Sequence, residues 1–170
     1  MPADRVVIIT LKAQVPEDTS TGDIGLFLYD LSSLYELLRL ALDPAYADYR
    51  FGKYPLFRGR HSLQPPDRFA IEQLKVERTL NLRASLFEPA GARSIVSDVL
   101  SAFVERLEAI SPGLLVDGAP RTAGRARAAG GRIESRLSER GATSHIETVL
   151  RRLRHSPIEL LHLAITREEE

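Results

Sequence analysis

The stretch "DIGLFLYDLSSLYELLRLALD", residues 23–43, decides the fold of this chain. Thirteen of its residues are apolar, and the charges set among them are Asp30, Glu36 and Arg39. A membrane helix needs about twenty apolar residues, and a charge at its centre costs several kcal/mol. We therefore expect no membrane span here, and we predict a helix that is buried in a protein interior.

At helical period this stretch is apolar over most of its circumference. One narrow polar stripe contains Gly25, Tyr29, Ser32, Glu36 and Arg39. Ser20 or Thr21 can cap the start of the helix, and Asp43-Pro44 ends it. Such a helix either lies at the centre of the core or is also covered by a partner. For the second case, we predict these interface residues: Leu26, Tyr29, Leu37 and Leu40.

Composition is that of an ordinary soluble domain. The chain has 170 residues, of which 44% are apolar and 27% charged, and its formal net charge is zero. We predict a single domain over residues 1–170. Zero net charge gives no bulk electrostatic preference for nucleic acid, membranes or acidic partners. The chain contains no cysteine and its beginning shows no export signal, so we expect a cytoplasmic location.

Several further elements can be assigned from their periodicity. Residues 5–13 are β-branched and predict a buried strand. Residues 74–82 alternate at strand period, and this strand could extend over residues 69–87 with a bend. Residues 94–110 place apolar side chains on one face and predict an amphipathic helix. Residues 114–116 could form a short strand.

The last third of the chain is less regular. Residues 117–131 are rich in Gly, Ala and Arg and predict a flexible connection or a loosely held helix. "SHIE", residues 144–147, has the pattern of a capping box at the start of a helix. The run at 156–166 suits either a strand or a helix, and we favour the strand. Together the elements predict an α+β fold, a two-layer sandwich with a small, mostly antiparallel sheet covered by two long amphipathic helices.

Catalytic and cofactor signatures are absent from the sequence. No glycine-rich loop follows a strand, and no serine lies in a nucleophile elbow. Glu159 and His162 have the spacing of half a carboxylate-bridged metal site, but a full site needs further carboxylates on facing helices. We therefore expect a non-enzymatic protein without a metal or cofactor.

Basic residues are concentrated in two regions. Five of the eleven aromatic residues lie within residues 46–57, among or just before basic residues. Residues 118–155 contain nine Arg and three Glu, a balance of +6. A candidate anion or nucleic-acid surface consists of Arg50, Lys53, Arg58, Arg60, Arg132, Arg136 and Arg140. The alternatives are aromatic rings that seal a loop, a solvated basic face, or a face that pairs with the acidic part of another copy.

Four blocks of sequence resemble a pattern in small uncharacterised bacterial α+β proteins. They are "LFLYDLSSLYELLRLALDPAYADYRF", "LFRGR", "LKVER" and "HSPIELLHLAI". The pattern is similar to the accessory or adaptor domains of bacterial defence (conflict) systems, whose fold style is like that of death-domain adaptor N-terminal domains. The resemblance implies a non-catalytic module that assembles with partners or forms oligomers.

The sequence therefore favours a protein-interaction or oligomerisation module, acting as a homo-oligomer or with a protein partner. It belongs, on this interpretation, to a bacterial defence or signalling assembly. The alternative is a protein that binds nucleic acid or a nucleotide through its Arg and aromatic surfaces.

Overall fold

The computed structural model describes residues 4–51, 63–118 and 125–169. These ranges contain five strands: β1 (Arg5–Gln14), β2 (Ala70–Val76), β3 (Thr79–Glu88), β4 (Leu115–Asp117) and β5 (Glu159–Glu169). They also contain four α-helices: α1 (Thr21–Leu42), α2 (Arg93–Ile110), α3 (Arg125–Arg140) and α4 (Thr143–His155). Short 3-10 turns precede and follow the undescribed residues 52–62, at Pro44–Tyr46 and Pro65–Asp67.

The five strands form one mixed sheet in the order β2-β3-β1-β5-β4. The first three neighbouring pairs are antiparallel, and β4 runs parallel to β5. Without β4, α3 and α4, the connectivity is that of the split β-α-β arrangement called ferredoxin-like. In this chain β4, α3 and α4 are inserted before the final strand.

The helices cover one face of the sheet. Along β1, Val7, Ile9 and Leu11 are buried, whereas Thr10 and Lys12 on the opposite face are exposed. Strand β3 alternates in the same way, with its buried residues on the helix side. Successive strand residues point to opposite faces, and among the described residues no helical layer covers the second face, although Ile8 is buried there.

Helix α1 is the centre of the helical layer and contacts α2, α3 and α4. It begins with a reciprocal capping box, in which the Asp23 N–H donates to Ser20 Oγ at 3.1 Å. It ends at Leu42, because Pro44 disfavours helical geometry at Asp43. Among the described residues, no helix is long and apolar enough to cross a membrane.

The α+β class is confirmed, but its details differ from the sequence prediction. The sheet is mixed, and four helices lie over it, so the description by two long amphipathic helices is not confirmed. The strand favoured for residues 156–166 is present as β5. The predictions of β1, α1 and α2 are also confirmed.

Two local predictions need correction, and a third falls partly outside the described residues. The proposed bent strand over residues 69–87 is a hairpin, closed by a 3.0 Å bond from the Glu77 N–H to the Thr79 carbonyl. "SHIE" does not cap α4, because Gly141 at φ +70° turns the chain earlier and the helix begins at Thr143. Of the connection predicted at 117–131, residues 125–131 lie in α3, and 119–124 lie outside the described residues.

Candidate functional site

The charged side chains of α1 have partners inside the protein. Every residue from Asp30 to Leu42 is buried. Asp30 accepts a 2.7 Å hydrogen bond from Arg152 of α4, and Glu36 accepts one of 3.2 Å from the backbone N–H of Phe69. Burial raises the pKa of Asp30, and the hydrogen bond and charge of Arg152 oppose that rise. These charges therefore hold α4 and the chain before β2 against the central helix.

Arg39 is the centre of a buried polar cluster near the end of α1. Only 2% of this residue is exposed. Its guanidinium donates to Asp43 at 2.8 Å, to Asp67 at 3.2 Å and to the Tyr35 hydroxyl at 3.3 Å. The Tyr46 hydroxyl donates to the second oxygen of Asp67. Removing one partner from a buried ion pair typically costs about 3–5 kcal/mol, because the other charge stays buried and unpaired.

Tyr46 connects the two chain segments that flank the undescribed residues 52–62. Its hydroxyl accepts a 3.0 Å hydrogen bond from the Gln64 N–H while it donates to Asp67. Burial, and then the hydrogen bond to Asp67, raises the pKa of Tyr46 from 10.0 to about 12. The Arg39 cluster, defined as Tyr35, Arg39, Asp43, Tyr46 and Asp67, thus fixes both segments to α1.

Arg140, at the end of α3, makes a second internal anchor. Its guanidinium donates to four backbone carbonyls, which belong to Leu40, Tyr46, Ala47 and Tyr49. The distances to Tyr46 and Tyr49 are 2.8 and 2.9 Å. Arg140 therefore satisfies carbonyls at the end of α1 and just beyond it, and its assignment to an anion surface stays a prediction.

The rest of the predicted anion surface is only partly assembled. Arg132 pairs with Asp98 of α2 at 3.3 Å, and Arg136 is exposed. The pKa of Arg140 is lowered first by burial and then by the positive charges of Arg50 and Arg136. Arg50 and Arg136 are therefore near Arg140 in space. Three further predicted residues, Lys53, Arg58 and Arg60, lie outside the described residues.

The predicted interface on α1 is divided between the core and the surface. Leu37 and Leu40 are 1% and 0% exposed. They cannot contact a partner in this fold, because the chain's own sheet and helices enclose them. Leu26 is 47% exposed and lines a cleft of about 270 Å³ between α1 and the end of α4, and Tyr29 is half-buried.

The most exposed apolar surface lies on β2, which sequence reasoning did not single out. All seven residues of this edge strand are exposed. Its apolar residues Ile71, Leu74 and Val76 are 43%, 43% and 38% exposed. In the hairpin register they lie opposite three buried residues of β3, namely Ala84, Leu82 and Leu80. The β2 apolar row, defined as Ile71, Leu74 and Val76, therefore faces the helix side of the sheet beyond the helical cover.

The helix-free face beside β2 is polar and close to charge balance. It forms part of a shallow basin of about 520 Å³, whose polar lining residues are Thr10, Lys12, Gln73, Lys75, Asn81, Arg83 and His162. Most of its cations have acidic partners: Lys75 with Glu77 at 3.5 Å, Arg83 with Glu72 at 3.1 Å, and His162 with Asp117 at 2.6 Å. This face therefore gives no concentrated positive field for an anion.

Within the part of the chain that the structure describes, no group of three or more His, Asp or Glu residues could hold a metal ion. No protein-family model matches the chain, and neither a curated protein nor a solved structure is significantly similar to it.

We predict that Arg140→Met destabilises the fold by about 2 kcal/mol, because hydrogen bonds to charged groups contribute about 1.5–3 kcal/mol and the carbonyls lose their donor. Arg136→Met, one helical turn earlier and exposed, is the matched control and should change stability by less than about 0.5 kcal/mol. Urea unfolding of both variants measures the difference. Equal losses in the two variants would contradict the internal role of Arg140.

We also predict a pH signature for Tyr46. Its pKa is about 12 in the folded chain and 10.0 in the unfolded reference. The stabilisation linked to the protonated hydroxyl is therefore complete below pH 10 and is lost as the pH rises toward 12. The unfolding free energy of Tyr46→Phe should be lower than that of the wild type by a constant amount up to pH 10. Above pH 10 this gap in unfolding free energy should narrow. A gap that stays constant over pH 10–12 in denaturant titrations would refute the assignment.

Proposed function

We propose that this chain is a non-enzymatic protein-interaction module that self-associates through the open edge of β2. The observation that carries the proposal is the β2 apolar row, which leaves three large apolar side chains about two fifths exposed on one strand. Of the five exposed large apolar residues among the described ranges, three belong to this row. Contiguous apolar exposure of this kind marks interaction surfaces more often than scattered single residues do.

The backbone of an edge strand supports the same conclusion. Among the described residues, β2 has a neighbouring strand on one side only. Such a strand presents N–H and C=O groups that another strand can pair with. Strand β2 has an irregularity between Ile71 and Gln73, but residues 73–76 keep regular pairing with β3. The charge on this segment, Lys75, lies on the helix-free face beside Glu77, so it does not interrupt the apolar row.

The energetics indicate weak, reversible association. Full burial of a large apolar side chain contributes about 1.5–3 kcal/mol, so covering the exposed two fifths of each contributes roughly 1 kcal/mol. Two copies together gain about 6 kcal/mol from their rows, before any backbone hydrogen bonds. Association costs about 4–15 kcal/mol in lost freedom. Set against even the low end of that cost, the rows alone leave about 2 kcal/mol. The association therefore also depends on backbone hydrogen bonds between the strands, and its dissociation constant is expected in about the millimolar range. The formal net charge of zero means that two copies do not repel each other overall.

The biological setting stays as the sequence suggested. We propose a cytoplasmic module of a bacterial defence or signalling assembly, since the resemblance to accessory domains of such systems implies a part that oligomerises without catalysis. The Arg39 cluster and the Arg140 anchor suit this role, because they stabilise the fold and leave no exposed reactive group in either place.

Nucleic-acid binding is the second candidate, and one observation favours it. Arg50 and Arg136 both lie close enough to Arg140 to lower its pKa. This local concentration of positive charge could contact phosphate groups. Of the other residues in the seven-residue surface expected from the sequence, Arg132 pairs with Asp98, and Lys53, Arg58 and Arg60 lie outside the described residues.

We predict that the wild-type chain associates as its concentration is raised from about 0.1 to about 1 mM, and that Leu74→Lys remains a monomer of 18.9 kDa. A lysine at position 74 puts a charge into the apolar row, and this charge would lose its hydration when two strands pair. Leu115→Lys is the matched control, because Leu115 is 69% exposed on the opposite edge strand. It should associate like the wild type. Light scattering coupled to size exclusion measures all three masses.

A wild-type chain that stays monomeric throughout this range would overturn the proposal, as would equal effects of the two lysines. A monomer that carries nucleic acid at low salt and releases it at high salt, seen in its ultraviolet absorbance ratio, would instead support the second candidate.

A further inference from the structure

We infer that the partner of β2 is the β2 strand of a second copy, paired antiparallel about a two-fold axis that passes beside Leu74. This inference rests on the proposed function and specifies its geometry. The two five-stranded sheets would join into one ten-stranded sheet, with both helical layers on the same side.

The symmetry of such a pair restricts its register. A two-fold axis perpendicular to the sheet keeps the helix side of both copies on the same side. Each residue must then lie opposite a residue that points to the same face, because a shift by one residue would set apolar against polar side chains. The axis must therefore pass beside a residue and not between two residues.

Among the regularly paired residues 73–76, one gives favourable neighbours at the axis. An axis at Lys75 sets two ammonium groups directly opposite each other, which is destabilising. An axis at Gln73 sets Leu74 opposite Glu72, in the irregular part of the strand, so the central leucine has no apolar neighbour. An axis at Val76 overlaps the two strands only at their ends, since β2 stops there.

An axis at Leu74 satisfies these constraints. It sets the two Leu74 side chains opposite each other on the helix side. On the other face it sets Gln73 of each copy opposite Lys75 of the other, so that the amide oxygen can accept a hydrogen bond from the ammonium group. Val76 of each copy then lies beside the irregular segment of the other, where Ile71 extends the apolar strip. The exposed row becomes the centre of a self-complementary interface.

The absence of cysteine from the chain allows a direct test. Directly opposite residues of antiparallel strands have Cα atoms about 4.5–5.5 Å apart, which is within the range of a disulfide. Leu74→Cys should therefore form a disulfide-linked dimer under mild oxidation. In Val76→Cys the two thiols would lie on opposite sides of the axis, offset by about four residues or about 13 Å along the strands. Leu115→Cys reports on random collisions.

We expect the Leu74→Cys variant to cross-link at least about tenfold faster than either control, because only its two thiols meet at the axis. Non-reducing electrophoresis over time at a fixed protein concentration measures the three rates. Light scattering and urea unfolding of the reduced variants show that each keeps the wild-type mass and fold.

Two outcomes would overturn this register while the proposed function stands. In both outcomes the reduced chains associate. In the first, Val76→Cys forms the disulfide-linked dimer as fast as Leu74→Cys. In the second, Leu74→Cys forms no disulfide-linked dimer. If the reduced variants and the wild type are all monomeric, the register and the proposed function both fail.

Discussion

A helix that is buried on all sides must find partners for its polar groups within its own chain, and α1 sets this constraint on the rest of the structure. Asp30, Glu36 and Arg39 are each 2% exposed or less. An unpaired charge in such a place would cost about 3–5 kcal/mol, a large part of a typical folding free energy of about 5–15 kcal/mol. The three charges are instead met by α4, by the chain before β2 and by the Arg39 cluster.

This constraint also explains where an interaction surface can lie. Because the second half of α1 is enclosed by β-sheet, helices and polar anchors, it has no surface left for a partner. The helical cover does not extend over β2, the outermost strand of the sheet. The protein thus buries the second half of its most hydrophobic segment and leaves a modest apolar row at the sheet edge. Because the β2 apolar row is small, the association that it supports is weak and depends on protein concentration.

The sequence was sufficient for elements whose own pattern determines them. The β-branched run of β1 and the continuous apolar character of α1 could be read from local composition, whereas the local pattern of the final strand suited a helix equally. The hairpin between β2 and β3 was missed because Glu77-Arg78 contains none of the glycine or asparagine residues typical of tight turns. The start of α4 was predicted too late in the chain, because the capping pattern that begins at Ser144 lies inside the helix. The turn at Gly141 sets the beginning of the helix at Thr143.

The division between core and surface could not be predicted from sequence, because it depends on packing between distant residues. Leu37 and Leu74 are both leucines in strongly periodic segments, yet one is 1% exposed and the other 43%. The difference arises from the position of β2 at the sheet edge, which follows from strand order. Arg140 and Arg136 likewise look equivalent along α3, and only the carbonyls beyond α1 distinguish them.

The most direct test of the β2 edge as an interaction surface is amide hydrogen exchange measured at protein concentrations from about 10 μM to about 1 mM, a range that reaches the expected dissociation constant. Exchange in residues 73–76 should slow as the concentration rises, while exchange in residues 115–117 of the other edge strand should not change. Exchange in residues 73–76 that is the same at every concentration would contradict the account.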